Sequence, residues 1–217
     1  MGVAHLSLGE LEAGLDDIRR SPANSGRLEL IVRRPSVGGR EVLAEAFLDP
    51  VLGLVGDTWS VRASMRTPDR SPHPDKQLTA MNARVAALLS GFATARGQVD
   101  RRPLAGDQLY LDLDLSEANL SPGAQLQLGD AVIEVTDQPH LGCAKFASRF
   151  GPDSIRFVNS PSGRQLRLRG LNARVVVGGA VRWGDAVSKL DARPELDVHS
   201  ESQVGGDDRQ RASYHLR

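Results

Sequence analysis

Cysteine is almost missing from this 217-residue chain: Cys143 is the single one, which excludes an internal disulfide framework. Lysine is nearly as rare, with three residues against 24 arginines. Codon bias in a GC-rich genome explains that skew without any demand for guanidinium groups. Net charge is zero, so no global field steers the chain to nucleic acid or to a membrane surface. No apolar run approaches the roughly 20 residues that a bilayer span requires. The N-terminal Met1-Gly2-Val3-Ala4-His5 has no basic flank leading into an apolar stretch, so the cytoplasm is the expected compartment. There is no Gly-x-Ser-x-Gly elbow, no P-loop, no dinucleotide glycine fingerprint and no His-Glu-x-x-His. The commonest recognisable hydrolases, NTPases and dehydrogenases are thereby set aside.

What is present reads as a soluble globular chain, with 25% charged and 40% apolar residues. Residues 7–20 are expected to be helical, because Ser7 and Glu10 make a capping-box pair and Leu8, Leu11, Leu15 and Ile18 share a face. Leu28, Leu30 and Val32 alternate with Glu29 and Arg33, which predicts a strand with one buried face. The stretch from Arg40 to Leu48 alternates more loosely. Gly53-Leu54-Val55-Gly56-Asp57 is a turn, and an irregular loop surrounds Ser71-Pro72-His73-Pro74. A second helix is predicted from Lys76 to Ser90, with Asp75 as cap, Gly91 as stop and Leu78, Met81, Val85, Leu88 and Phe92 on one stripe. After Gly106 the pattern changes to short strands. Leu109, Leu111, Leu113 and Leu115 alternate with polar residues and Tyr110, and Gly129-Asp130 joins two strands as a hairpin. Val175 to Arg182 repeats that design around Gly178-Gly179. The expected class is mostly β with peripheral helices (α+β), as a barrel or sandwich. Residues 1–50 are read as an N-terminal helix-and-strand elaboration, 51–190 as the β domain, and 191–217 as a disordered tail.

The zero net charge hides two opposed blocks. Seven acidic residues and no basic one lie between Leu104 and Asp137, whereas eight basic residues and only Asp153 lie between Ala144 and Arg182. The blocks can neutralise each other across the fold, and part of the basic block can also serve as an anion site, since arginine matches phosphate oxygens with a bidentate fork. Cys143 sits at their junction. Proline and glycine before it, and Ala144-Lys145-Phe146 after it, predict a loop running into a short helix. That would put the sulfur at a helix N-terminus beside Lys145. The plainer reading is a small buried apolar side chain. His140 and Cys143 have a spacing that a metal can use, but two ligands do not make a zinc site.

In their order along the chain these residues resemble the MOSC family, the C-terminal domain of molybdenum-cofactor sulfurases. The run comprises Gly53-Leu54-Val55-Gly56-Asp57, Gly106-Asp107-Gln108-Leu109, Gly129-Asp130-Ala131-Val132, Cys143-Ala144-Lys145-Phe146 and Gly170 to Val175, closing at Gly179 and Gly184-Asp185. The similarity spans about residues 50–190. It implies a MOSC-type β-barrel and a molybdenum-pterin cofactor. Cys143 would be the catalytic residue, as metal ligand or persulfide carrier. Lys145 and Arg174 would hold the cofactor's phosphate and pterin, with Arg149, Arg169, Asn172 and His140 as further cofactor-binding residues. The implied activity is oxidoreduction of N-hydroxylated compounds or sulfur transfer, with a cysteine desulfurase or a redox protein as partner. The alternative is a non-catalytic barrel that binds an anionic small molecule or a partner protein, with Cys143 structural. The chain departs from the family where His140-Leu141-Gly142 replaces Arg-x-Pro, His73-Pro74-Asp75 replaces His-Gly-Gly, and Gln108 replaces asparagine.

Overall fold

A computed structural model describes residues 5–91 and 99–190. Eleven strands occur among these residues: β1 (Ser25–Arg33), β2 (Glu41–Leu43), β3 (Glu45–Asp49), β4 (Gly53–Leu54), β5 (Leu78–Asn82), β6 (Leu109–Asp112), β7 (Gln125–Leu128), β8 (Ala131–Val135), β9 (Leu171–Val177), β10 (Gly179–Arg182) and β11 (Ala186–Lys189). Seven of them close a barrel in the order β11-β7-β8-β9-β5-β6-β1, with β1 pairing back onto β11. Every pairing in that ring is antiparallel except β5 with β6. Closure leaves the ring no free edge, and β2 extends it outward from β1. A smaller sheet, β10-β3-β4, contributes Leu48, Leu54 and Val181 to the barrel's interior cluster. Among the described residues no helix is long and apolar enough to cross a membrane.

The barrel wall is buried on both sides over much of its circumference. Leu28, Ile31, Leu109, Leu111, Ile133 and Val175 face the interior. Leu30, Val32, Met81 and Tyr110 instead meet the helices, in a second cluster with Leu11, Ile18, Val85, Phe146, Phe150 and Phe157. β1 serves both cores because its pairing with β6 slips between Leu28 and Leu30. A one-residue slip moves following side chains to the opposite face, so Leu28 points in, Leu30 out and Ile31 in. The expected one-sided strand is therefore two-sided. It also belongs to the barrel itself, so the chain before residue 50 supplies barrel wall through β1 and sheet through β3, not an elaboration alone.

The N-terminal helix forms as two short pieces, α1 (Leu8–Ala13) and α2 (Leu15–Arg19), hinged at Gly14. The Glu10 carboxylate accepts from both the backbone N–H and the hydroxyl of Ser7, and Leu11 and Ile18 are buried. The predicted helix over Lys76–Ser90 is corrected: Leu78–Asn82 is strand β5, and only α3 (Ala83–Ser90) is helical. All five β5 residues are buried, between β6 and β9. Ladder bonds on both sides outweigh a local helical spacing that the chain also satisfies. The helix cap is the Asn82 side chain, which accepts from the backbone of Arg84 and Val85, while Gly91 ends the helix with φ +65°. Phe92 and the segment 191–217 lie outside the described residues.

The hairpin around Gly129-Asp130 forms as expected, Leu128 opposite Ala131. The second expected hairpin does not. β10 pairs with β3 and leaves the barrel sheet that holds β9. Gly179 makes this crossing feasible, because a Cβ there would lie 2.5 Å from the Asp130 backbone.

Candidate functional site

The cysteine-bearing loop runs from Asp137 at the end of β8 to helix α4 (Ala144–Phe150), and three side chains clamp it. Asn172 on β9, itself buried, donates to the carbonyls of Gln138 (3.1 Å) and Pro139 (3.3 Å). Asp107 lies 2.8 Å from His140 Nε2. Asn159, which ends α5 (Pro152–Asn159), accepts from Gly142 N–H at 2.9 Å and donates to its carbonyl at 3.1 Å. Gly142 permits this approach, since a Cβ would sit 2.9 Å from a Val158 methyl. Cys143 then caps α4 in extended conformation and is exposed, which excludes the buried apolar role. Lys145 is also exposed, in the first turn of α4.

Asp107 is the hub beneath this loop. Its side chain is fully buried, and its second oxygen accepts from Arg169 Nη1 at 2.6 Å. Arg169 also donates to Ala105 O and lies over the Phe146 ring, 4.8 Å from the centroid. Burial raises the Asp107 carboxyl pKa, but Arg169 and His140 more than offset this and hold it below its ordinary value. Burial lowers the pKa of His140, Arg169 lowers it further, and Asp107 opposes both without reversing the direction. The imidazole is thus favoured in its neutral form. Asp107 takes the Nε2 proton in a hydrogen bond, which leaves Nδ1 as the acceptor nitrogen. No described residue donates to it.

A second buried aspartate that follows a glycine also binds an arginine. Asp57, after Gly56, accepts Nε and Nη2 of Arg34, both at 2.8 Å. Arg34 Nη1 reaches on to Gly106 O at 3.1 Å, linking the two aspartate turns. The sequence pattern contained Gly56-Asp57 and Gly106-Asp107, but not the arginine that each aspartate would bind.

Two cavities meet at His140. One, of about 330 Å³, is lined by Glu117, Asp137, Arg164, Arg167, Arg169, Val158 and Leu171 among others. The other, of about 270 Å³, is lined by Arg34, Trp59, Arg62, His73, Lys76, Thr79 and Asn172, with no carboxylate in its wall. Arg62 and Lys76 make no ion pair among the described residues. Burial lowers the pKa of both, and neighbouring Arg34 and Arg66 respectively add repulsion. That is a wall chemistry suited to an anion. Cys143 lines neither cavity, although Leu141, two residues earlier, lines the larger one.

The other expected site residues are dispersed. Arg149 on α4 turns towards Leu104 O (2.8 Å). Arg174, expected to point into the site, is exposed and paired with Glu134 at 2.6 Å and Asp75 at 3.8 Å. Arg167 and Arg169 do not share a strand face, because α6 (Pro161–Gln165) and a turn precede β9. Arg167 has φ +47° and donates to Leu120 O, whereas Arg169 is buried on Asp107. Among the described residues, only Arg169 and Arg174 of the basic block pair with the acidic block. Sequence reasoning assigned no role to Asp107, Arg62 or Lys76. Among the described residues no group of three or more His, Cys, Asp or Glu gathers as a metal centre.

No protein-family model matches the sequence, and no curated protein matches it. Solved structures do. YiiM from Escherichia coli is 20% identical with a TM-score of 0.51, over 77% of this chain and 71% of that one. A hypothetical protein is 20% identical with a TM-score of 0.50, over 78% and 69%. YuaD from Bacillus subtilis is 17% identical with a TM-score of 0.48, over 75% and 94%. At these identities the likeness speaks for the fold alone: a closed seven-stranded barrel with peripheral helices, shared with YiiM.

Proposed function

We propose that this chain binds an anionic molybdenum-pterin cofactor beside His140, with Cys143 as metal ligand or persulfide carrier. The observation that carries this reading is the carboxylate-free cationic cavity of about 270 Å³ next to a clamped loop that ends in an exposed thiol. The cavity's residues fit the group: Arg62 and Lys76 suit its phosphate, and Trp59 and Asn172 suit a flat polar ring, while the Cys143 thiol, outside the cavity wall at the end of the loop, would be a soft ligand for the metal. When bound, the cofactor would supply the redox or sulfur chemistry, for reduction of N-hydroxylated compounds or for sulfur transfer. The chain's own part is to hold the anion and to orient the loop through Asn172, Asp107 and Asn159. The neutral His140 also offers Nδ1 as a hydrogen-bond acceptor. A cysteine desulfurase or a redox protein would be the partner. A free exposed thiol suits a reducing compartment, and we place the protein in the cytoplasm.

A second reading is favoured by one fact, that Cys143 lines neither cavity. In it the barrel binds an anionic small molecule or partner without using the thiol. Elemental analysis of the full chain, expressed in a host that makes the cofactor, separates the two. Near-stoichiometric molybdenum, lost in Cys143→Ser and reduced in Lys76→Gln, supports the first reading. Folded protein with molybdenum far below stoichiometric overturns it.

A further inference from the structure

Beyond the two cavities, guanidinium groups converge on the turn before β6. Gly106 has φ +90°, and a Cβ placed there would meet Arg40 Nη2 at 3.1 Å and Arg149 Nη1 at 3.6 Å. Two cations from the β1–β2 loop and from α4 therefore approach one point on the backbone. Arg34 joins them through its bond to Gly106 O. Neither Arg40 nor Arg149 makes an ion pair among the described residues.

The carboxylates around them are already engaged. Asp57 holds Arg34, Asp107 holds Arg169 and His140, Glu41 holds Arg33, and Asp100 holds Arg102. Arg40 Nε is buried and has no hydrogen-bond partner, and the only bond of that guanidinium among the described residues is from Nη1 to the carbonyl of its neighbour Gly39. Burial lowers the Arg40 pKa, and repulsion from Arg149 and then Arg34 lowers it further. An orphaned buried N–H on a charged group, next to a second uncompensated guanidinium, is a costly arrangement for a protein to keep. A polyvalent anion removes the cost. Its oxygens can accept from Arg40 and Arg149 together while its charge cancels their repulsion.

We propose that Arg40 and Arg149 hold a tetrahedral oxyanion over Gly106, either inorganic phosphate or the phosphoryl group of a larger ligand. Neither residue lines the cavities at His140, so the site stands whether or not a molybdenum cofactor binds there. Arg34 lines the smaller cavity and also touches Gly106 O, so this one side chain borders both places.

Isothermal titration of the full chain in phosphate-free Tris chloride tests this, with inorganic phosphate and AMP as the two titrants. Wild type is expected to bind phosphate, and Arg40→Gln to weaken binding roughly tenfold or more, the worth of one charge-assisted hydrogen bond. Arg40→Gln should not lower the melting temperature in the phosphate-free buffer, since it removes an uncompensated charge; Arg149→Gln provides the second, independent variant. AMP binding tighter than phosphate, and weakened by Arg62→Gln as well, assigns the phosphoryl group to a ligand that extends into the cavity. AMP binding no tighter, and unaffected by Arg62→Gln, assigns free phosphate. Absence of any heat or melting-temperature response to either titrant, or an undiminished response in both arginine variants, overturns the site.

Discussion

Asp107 Oδ1 lies 2.8 Å from His140 Nε2, three residues before the only cysteine, and the carboxylate that makes this bond is fully buried. The acid ties the loop's imidazole to the barrel, while Arg169 neutralises the acid from beneath. Position and protonation of the loop are therefore coupled.

His140 should stay neutral below its ordinary pKa of about 6.5. Between that value and its lower native pKa, the unfolded chain carries a proton that the folded one lacks. Stability therefore falls as pH drops from about 6.5. Asp107, also lowered, adds stability that is present above about 3.9 and lost as pH falls through its native pKa. Imidazole resonances followed by NMR check the first point: a His140 midpoint at or above 6.5 would refute it.

Asp107→Asn leaves Arg169 charged, buried and without a counter-charge. The expected cost is about 3–5 kcal/mol, a large share of a domain's usual stability. Urea denaturation measures it. A loss under about 1 kcal/mol would mean that solvent reaches Arg169.

The Cys143 thiol should react with iodoacetamide in the native state, because it is exposed. Mass spectrometry of the intact protein would show one adduct without denaturant. Labelling that begins only on unfolding would return the thiol to the interior.

Asn159→Ala removes both clamp bonds to Gly142 and should loosen the loop with little global effect. Hydrogen exchange at 140–143 should accelerate, while β5 and β6 remain protected. Uniform acceleration throughout the barrel would contradict a local clamp.

Arg174→Gln should change stability by less than about 1 kcal/mol, since the Arg174–Glu134 pair is exposed on the arginine side. By contrast, Leu11→Ala, which empties a buried site under α1, should cost about 2–5 kcal/mol. Thermal melts of the two variants compare them directly, and a larger loss at Arg174 would reverse this ranking.

Features carried by neighbouring residues are legible in the amino-acid sequence alone. The Ser7–Glu10 capping box, the Gly129-Asp130 hairpin, the Gly91 stop and the loop-to-helix passage at Cys143 each depend on groups a few residues apart, so a short window contains their whole physical cause. Tertiary structure decided the rest. Leu78–Asn82 became strand because β6 and β9 offered partners on both sides, and Gly178-Gly179 led into another sheet because β3 was the available neighbour. Asp107 met Arg169 from 62 positions away, and Arg40 met Arg149 over Gly106. The energies that select such partners arise between segments brought together only when the barrel closes. Composition and spacing could announce a basic block and a lone cysteine; closure alone determined which arginines were neutralised and which were left to seek an anion.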